Sequence, residues 1–407
     1  MPFTPAINRY LHAADVFYLT SREDPFPSTV LEALSCGLPV VGFAGCTGTE
    51  ALIARFGTVV PLDARGKALD ALISEISRQT AERSAARKAV VAADFVWEDY
   101  AFGLLQELNP SWRRISVVVP NYNYARYVGS CLESIFRQTV PVYEVIVLDD
   151  ASSDDSRTVI EQVAQQHGRD IRLVVNDKNS GSVMRQWARG TREVSGELVW
   201  IAEADDMPEP KLLERLAAMF GAGTLMAFSD STPLDDDGKV LERSYKTYYR
   251  RFHGDAFEAS FSCDAGSFAT RFLATANIIL NVSAVLFRRE ALRDVQNQNL
   301  DELATYRFAG DWITYLSICR QRGEVAYCAR TLNKHRRHEA SATFRTALAA
   351  HFAEIARVHA AFGRLFDADP KVLASQRAYR AELRTQFGLT EKEGVEAEPV
   401  PAEVEAA

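Results

Sequence analysis

The chain has 407 residues, 47% of them hydrophobic and 25% charged, with a formal net charge of −8, a composition that fits a globular protein with two or three separately packed cores. The acidic balance excludes a general nucleic-acid binder, because neutralising a phosphate backbone needs a basic face. Neither a run of about eighteen apolar residues nor a basic leader with an apolar core is found, so no membrane span and no signal peptide is expected, and the expected compartment is the cytoplasm.

The first hundred residues alternate apolar runs with helical patterns: Asp15 to Thr20, Ser28 to Ser35, Pro39 to Phe43, Gly48 to Arg55, Thr58 to Pro61 and Gly66 to Ser77. Strand and helix in short succession, separated by Gly or Pro, predict a parallel α/β sheet. Three short strands before Trp97 make half of a doubly wound domain. The polar, proline-bearing stretch Asn109 to Arg114 marks a boundary, with residues 110–114 as linker.

A second α/β series follows. Strands are predicted at Ile115 to Pro120, Glu144 to Leu148, Ile171 to Val175 and Leu198 to Ala202, with helices at Val128 to Arg137, Ser156 to His167 and Val183 to Val194. After Lys211 the pattern loosens. Ala347 to Phe366 and Val372 to Phe387 read as C-terminal helices within residues 345–388, and residues 389–407 as a disordered acidic tail. The six cysteines are scattered, without metal or redox spacing, and read as reduced core residues.

Four polar clusters carry the chemistry. The first strand ends in Pro120-Asn-Tyr122-Asn and the second in Asp149-Asp150-Ala-Ser-Ser-Asp154. Ligands of open α/β sheets bind at the carboxyl ends of strands, so both clusters face one crevice. Tyr122 offers a ring for stacking on a base and Asp150 a hydrogen-bond acceptor; the alternative is a pair of helix-capping Asx turns. The apolar strand Leu198 to Ala202 runs into Glu203-Ala-Asp205-Asp206, where carboxylates repel one another unless a hard cation such as Mg²⁺ or Mn²⁺ stands between them, or solvent does. Gly310-Asp311-Trp312 opens an amphipathic helix, which Asp311 either caps or uses to present a base. His335-Arg336-Arg-His338 follows.

In this order the clusters closely resemble family 2 glycosyltransferases of the GT-A fold, over roughly Ile115 to Phe344. The resemblance is carried by Val117-Val-Val-Pro-Asn-Tyr-Asn123, Leu148-Asp-Asp-Ala-Ser-Ser-Asp154, Asn179-Ser-Gly-Ser-Val-Met-Arg-Gln-Trp-Ala-Arg-Gly190, Trp200-Ile-Ala-Glu-Ala-Asp-Asp206, Asn281-Val-Ser-Ala284, Gly310-Asp-Trp312 and Arg336-Arg-His338. It implies an inverting, metal-dependent transfer of sugar from a nucleotide-diphosphate donor, a UDP-sugar being favoured, to a glycan or lipid-linked acceptor. Tyr122 and Asp150 or Asp149 would hold the base beside Pro120, and Arg185 and Arg336 would serve the diphosphate. Glu203 and Asp205 stand at the ends of the family's Asp-x-Asp signature, with Glu in place of the first Asp. Asp205, Asp206 and His338 are then the expected metal ligands and Asp311 the base. An aromatic residue is common in the family where His335 stands. A lipid-linked acceptor would bring the protein to the inner face of the membrane by peripheral association.

Ser21 to Val40 resembles the nucleotide-sugar-binding half of family 4 glycosyltransferases, which have the two-domain GT-B fold. That family's two acidic residues have seven residues between them, as Asp24 and Glu32 do, with Asp in the place of the commoner Glu. The matching acceptor-binding domain is missing from the sequence, so the segment is expected to be a remnant or a truncation. Two other functions compete. A nucleotidyltransferase would need a Gly-rich, basic loop after the first strand, which Pro120-Asn-Tyr-Asn123 is not. A non-catalytic nucleotide- or glycan-binding module would not need the retained carboxylates.

Overall fold

The computed structural model describes residues 7–64, 66–95, 103, 107, 112–337 and 348–390. Its contacts divide the chain into two compact units, Met1–Leu108 and Asn109–Ala407.

In the first unit, strands β1 (Phe17–Tyr18), β2 (Val40–Phe43) and β3 (Thr58–Val60) form a parallel sheet in that order. Every residue of β2 is buried because helices cover both faces. Val40 packs with Val30, Leu34 and Ile53 on one side, and Val41 and Phe43 pack with Val60 and Ala68 on the other. Arg87, almost fully buried on the helix Ala81–Asp94, ties the unit together: Nε donates to the Phe56 carbonyl at 2.9 Å and Nη1 to Gln79 Oε1 at 2.7 Å.

The second unit is built on one mixed sheet. Its strands are β4 (Ile115–Asn121), β5 (Glu144–Asp149), β6 (Arg172–Val175), β7 (Leu198–Ile201), β8 (Met207–Pro208), β9 (Thr224–Leu234), β10 (Phe261–Asp264), β11 (Val285–Arg288) and β12 (Glu324–Arg336). The order is β10-β12-β9-β11-β7-β4-β5-β6, with β8 against β12. The four expected strands, β7-β4-β5-β6, run parallel. β11 is antiparallel to both β7 and β9, and β12 is parallel to β9. The GT-A-like α/β reading is thus borne out in class, with a second half of the sheet that the loosened pattern after Lys211 did not disclose.

Strand alternation fills two cores. Val118, Ile146, Leu148, Val199 and Ile201 face one side; Val117, Val119, Val145, Val147 and Trp200 face the other. Where helix Val183–Glu193 crosses β4, a Cβ on Gly190 would stand 2.3 Å from Val118 Cγ1, so only glycine permits this approach. The helix predicted from Val128 begins at Ala125, three residues earlier. C-terminal helices span Leu348–Leu365 and Pro370–Phe387. The expected acidic tail, from residue 391 on, lies outside the described residues.

Candidate active site

Three strand ends meet in register. Asn121, the last residue of β4, pairs with Asp149, the last of β5, and Val118 pairs with Ile201, the last of β7. Beyond them opens a cleft of about 520 Å³, lined by Pro120, Tyr122 and Tyr124 after β4, by Asp150 after β5 and by Glu203 after β7. Met184, Gln186 and Trp187 of helix Val183–Glu193 line it too, and so do Asn281, the loop Tyr306–Phe308, Asp311 and His335.

Successive residues of an extended strand point to opposite sides, and the adjacent acids follow that rule. Asp150 lines the cleft and Asp149 lies behind it. The Asp149 carboxylate accepts from Asn121 Nδ2 at 2.8 Å and pairs with Arg157 Nε at 2.8 Å. Burial opposes its ionisation, but the bonds from Ser152, Arg157 and Asn121 outweigh burial and hold its pKa below the ordinary value. Asp150, also buried, accepts from Ser180 N at 2.9 Å, Ser180 Oγ at 2.8 Å, Asn176 Nδ2 at 2.5 Å and Gln186 Nε2 at 2.9 Å. Asn123 (φ 57°) and Ala151 (φ 61°) stand one residue beyond Tyr122 and Asp150 in the left-handed region. Their turns are laced by Asn123 N to Ser152 Oγ at 3.0 Å and Ser153 N to Asn123 Oδ1 at 2.8 Å. Tyr122 remains 46% exposed, so its ring face is open to a ligand.

The acidic turn after β7 divides in the same way. Glu203 faces the cleft and accepts from Trp187 Nε1 at 3.1 Å; burial, then the charges of Asp205 and Asp206, push its pKa up to about 8. Partly buried Asp205 is outside the lining, yet its charge also raises the Tyr124 phenol, after burial. Asp206 turns inward. Its Oδ2 accepts from Asn281 Nδ2 and Ser283 Oγ, both at 2.6 Å, and its Oδ1 from Arg336 N at 3.0 Å. Burial and Asp205 push the Asp206 pKa up, and these bonds limit the rise.

Asp206, expected as a metal ligand, therefore spends its carboxylate on the fold. Arg336, expected at the diphosphate, does the same with its guanidinium: Nε donates to the Asp205 carbonyl at 3.1 Å, and Nη1 to the Asp236 carbonyl at 2.8 Å. Arg185 is exposed outside the cleft, 4.0 Å from Asp301. His338 lies outside the described residues. His335 lines the cleft with Nδ1 2.7 Å from Tyr245 Oη.

Among the described residues no set of three His, Cys, Asp or Glu side chains forms a metal cage. Glu203 and Asp205 are two carboxylates of one acidic turn, and the charge of Asp205 adds to burial in raising Glu203. That donor set fits Mg²⁺ or Mn²⁺, which take one or two carboxylates and complete their shell with water and phosphate oxygens.

Asp311 lies in the first turn of the helix Gly310–Cys319 and opens on the cleft. Its Oδ2 accepts from Asn277 Nδ2 at 3.0 Å and its Oδ1 from Trp312 N at 2.7 Å; burial carries its pKa up to about 6. The loop before it is held by Glu354, a residue with no place in the sequence motifs. That buried carboxylate accepts from the backbone amides of Arg307, Phe308 and Ala309 at 2.8, 2.8 and 2.9 Å. A Glu on the apolar face of helix Leu348–Leu365, beside Phe352, Ile355 and Val358, was the available signal, since such a carboxylate must find donors.

In the first unit, Asp24 lies in the loop after β1 and Glu32 in the helix Ser28–Ser35. Glu32 Oε2 is buried without a hydrogen-bond partner among the described residues.

Residues 116–295 match the family model described as glycosyl transferase family 2, and residues 1–90 match glycosyl transferases group 1. Both resemblances carried by the sequence motifs are thereby borne out. An uncharacterized glycosyltransferase of Nostoc sp. is 36% identical over 134 residues, 32% of this chain and 40% of that protein. Glycosyltransferase GlyG of Streptococcus pneumoniae is 34% identical over 102 residues, 25% of this chain and 33% of its own. The putative teichuronic acid biosynthesis glycosyltransferase TuaG of Bacillus subtilis is 24% identical over 214 residues, 52% of this chain and 74% of its own. The chain thus spans two fifths or less of the first two relatives. The crystal structure of S. aureus TarS 1–349 in complex with UDP-GlcNAc agrees in fold, with TM-score 0.53 and 17% identity over 70% of this chain and 79% of that one.

Proposed function

We propose that the second unit, which carries the family 2 glycosyl transferase match, moves a sugar from a nucleotide-diphosphate donor to a hydroxyl acceptor, with inversion at the anomeric carbon. The observation that carries this reading is the cleft itself, where Tyr122 and Asp150, Glu203, and Asp311 line one cavity. Tyr122 stacks on the base and the Asp150 side chain, oriented by Ser180 and Gln186, borders it. Glu203 and Asp205 hold a divalent cation. The chemistry supplied by that cation when bound is neutralisation of charge on the departing nucleoside diphosphate.

Asp311 accepts the acceptor hydroxyl's proton as its oxygen attacks. Asn277 and the Trp312 amide leave the carboxylate a fixed orientation, and burial brings its basicity closer to neutral pH than that of an exposed aspartate. No helix among the described residues is long and apolar enough to cross a membrane, so a lipid-linked acceptor would be met at a membrane surface. UDP-, GDP- and dTDP-sugars, incubated with and without Mn²⁺ and assayed for donor hydrolysis and transfer, test the reading. Turnover of none of them would overturn it.

A further inference from the structure

The cleft wall holds three carboxylates, Asp150, Glu203 and Asp311, and among its described lining residues the basic ones are Arg307 and His335. His335 is engaged by Tyr245. Arg307 is exposed, and among the described residues its guanidinium has no hydrogen-bond or ion-pair partner. It has not closed onto Asp311, four residues on, whose oxygens are taken by Asn277 and Trp312 N. The other two cations suggested by the motifs, Arg185 and Arg336, are outside the cleft or spent on backbone carbonyls. A solvated cation at the edge of such a cleft is available to an anionic group on a ligand.

The placement of Arg307 is built in from elsewhere in the fold. Glu354 fixes its backbone amide and the next two. One turn of helix further, Arg357 lies over the Tyr306 ring at 4.0 Å and donates from Nη2 to Thr305 Oγ1 at 2.6 Å. This loop leads into Asp311, where the acceptor hydroxyl must stand, whereas the donor's base and diphosphate belong to the strand ends at Tyr122, Asp150 and Glu203. Partly buried Phe308 adds apolar surface to the same wall.

We infer that Arg307 is an acceptor-specificity residue, and that the acceptor is a saccharide carrying an anionic group, a carboxylate or a phosphate, near the hydroxyl that is glycosylated. The inference rests on the glycosyl-transfer reading above. A charge-assisted hydrogen bond of this kind is worth about tenfold to a hundredfold in binding.

The test uses the full chain as wild type, Arg307→Gln and Arg307→Lys, with melting curves to verify folding. Transfer is measured to neutral, uronate-bearing and phosphate-bearing saccharides. Wild type should favour one anionic class by tenfold or more in kcat/KM, and the class favoured identifies the carboxylate or the phosphate. Arg307→Gln should erase that preference through acceptor KM while donor KM holds within about twofold, and Arg307→Lys should keep part of it. Equal use of neutral acceptors by wild type, an intact preference in Arg307→Gln, or a rise in donor KM instead would overturn the inference. Should no donor support transfer at all, the glycosyl-transfer reading fails by itself. Saturation-transfer NMR with glucuronate, glucose 6-phosphate and glucose still decides the anion position, since equal binding of all three by both proteins refutes it.

Discussion

Asn277 donates from Nδ2 to Oδ2 of Asp311 at 3.0 Å, joining the segment before β11 to the helix that carries the proposed base. The bond favours the ionised carboxylate and so opposes burial, which favours the protonated one. Transfer should therefore fall as pH drops through about 6, where Asp311 takes up a proton, and level off above. Asn277→Ala removes a donor to the charged form and should move the acid limb to higher pH. A kcat profile of both proteins checks this, and an unmoved limb would detach it from Asp311.

Asp311→Asn separates binding from chemistry. The amide is nearly isosteric and still accepts from the Trp312 amide, but it cannot take a proton. Turnover should fall by roughly 10²–10⁴-fold while donor affinity stays within a few-fold. Single-turnover transfer beside donor titration reads both, and near-normal transfer would remove Asp311 from the mechanism.

Nucleoside-diphosphate binding should require a divalent cation, because without one Asp205 repels the diphosphate and Glu203, held protonated at neutral pH, offers it no positive charge. Calorimetry in chelator should show binding weakened by more than about tenfold, or roughly 1.4 kcal/mol. Glu203→Gln should weaken Mn²⁺-dependent binding, whereas Asp206→Ala should lower the melting temperature by stranding Asn281, Ser283 and the Arg336 amide. Tight binding in chelator would sink the metal assignment.

Glu354→Ala leaves three backbone amides without their acceptor, at about 1–3 kcal/mol for each that stays dry. The melt should drop by several degrees and transfer should fall through acceptor KM, with donor affinity near wild type. Glu354→Gln retains one acceptor oxygen and should recover part of both. A loss confined to donor binding would contradict this account of the loop.

Asp24→Ala and Glu32→Ala should leave transfer by the second unit within about tenfold of wild type, roughly 1.4 kcal/mol in the barrier. Among the described residues Glu32 Oε2 is buried without a hydrogen-bond partner, so Glu32→Ala should cost little stability. A larger loss of turnover with the fold intact would give the first unit a part in the reaction.

The crevice was legible because apolar runs ending in polar clusters place their last residues at strand ends, as at Asn121, Asp149 and Ile201. Sequence could not say which of Asp149 and Asp150 lines the cleft, or that Asp206 rather than Asp205 turns inward, since neighbouring acids point apart and composition does not reveal the register. Nor could spacing show that Arg336 would be consumed by the carbonyls of Asp205 and Asp236. β12 stayed hidden because its last turn toward the site, Asn333 to Arg336, mixes Lys, His and Arg with buried positions. Asn277 and Glu354 act across 34 and 45 or more residues, a range at which local pattern carries no information.

Gly190 lies outside the cleft lining, yet the missing methyl group there lets helix Val183–Glu193 rest directly on Val118. Met184, Gln186 and Trp187, one to two turns earlier on that helix, are cleft wall. The depth of the cleft is thus set from underneath, by how thick the helix's seat is. Gly190→Ala would act like a shim under that wall, so the volume of the cleft can be inherited through a position outside its lining.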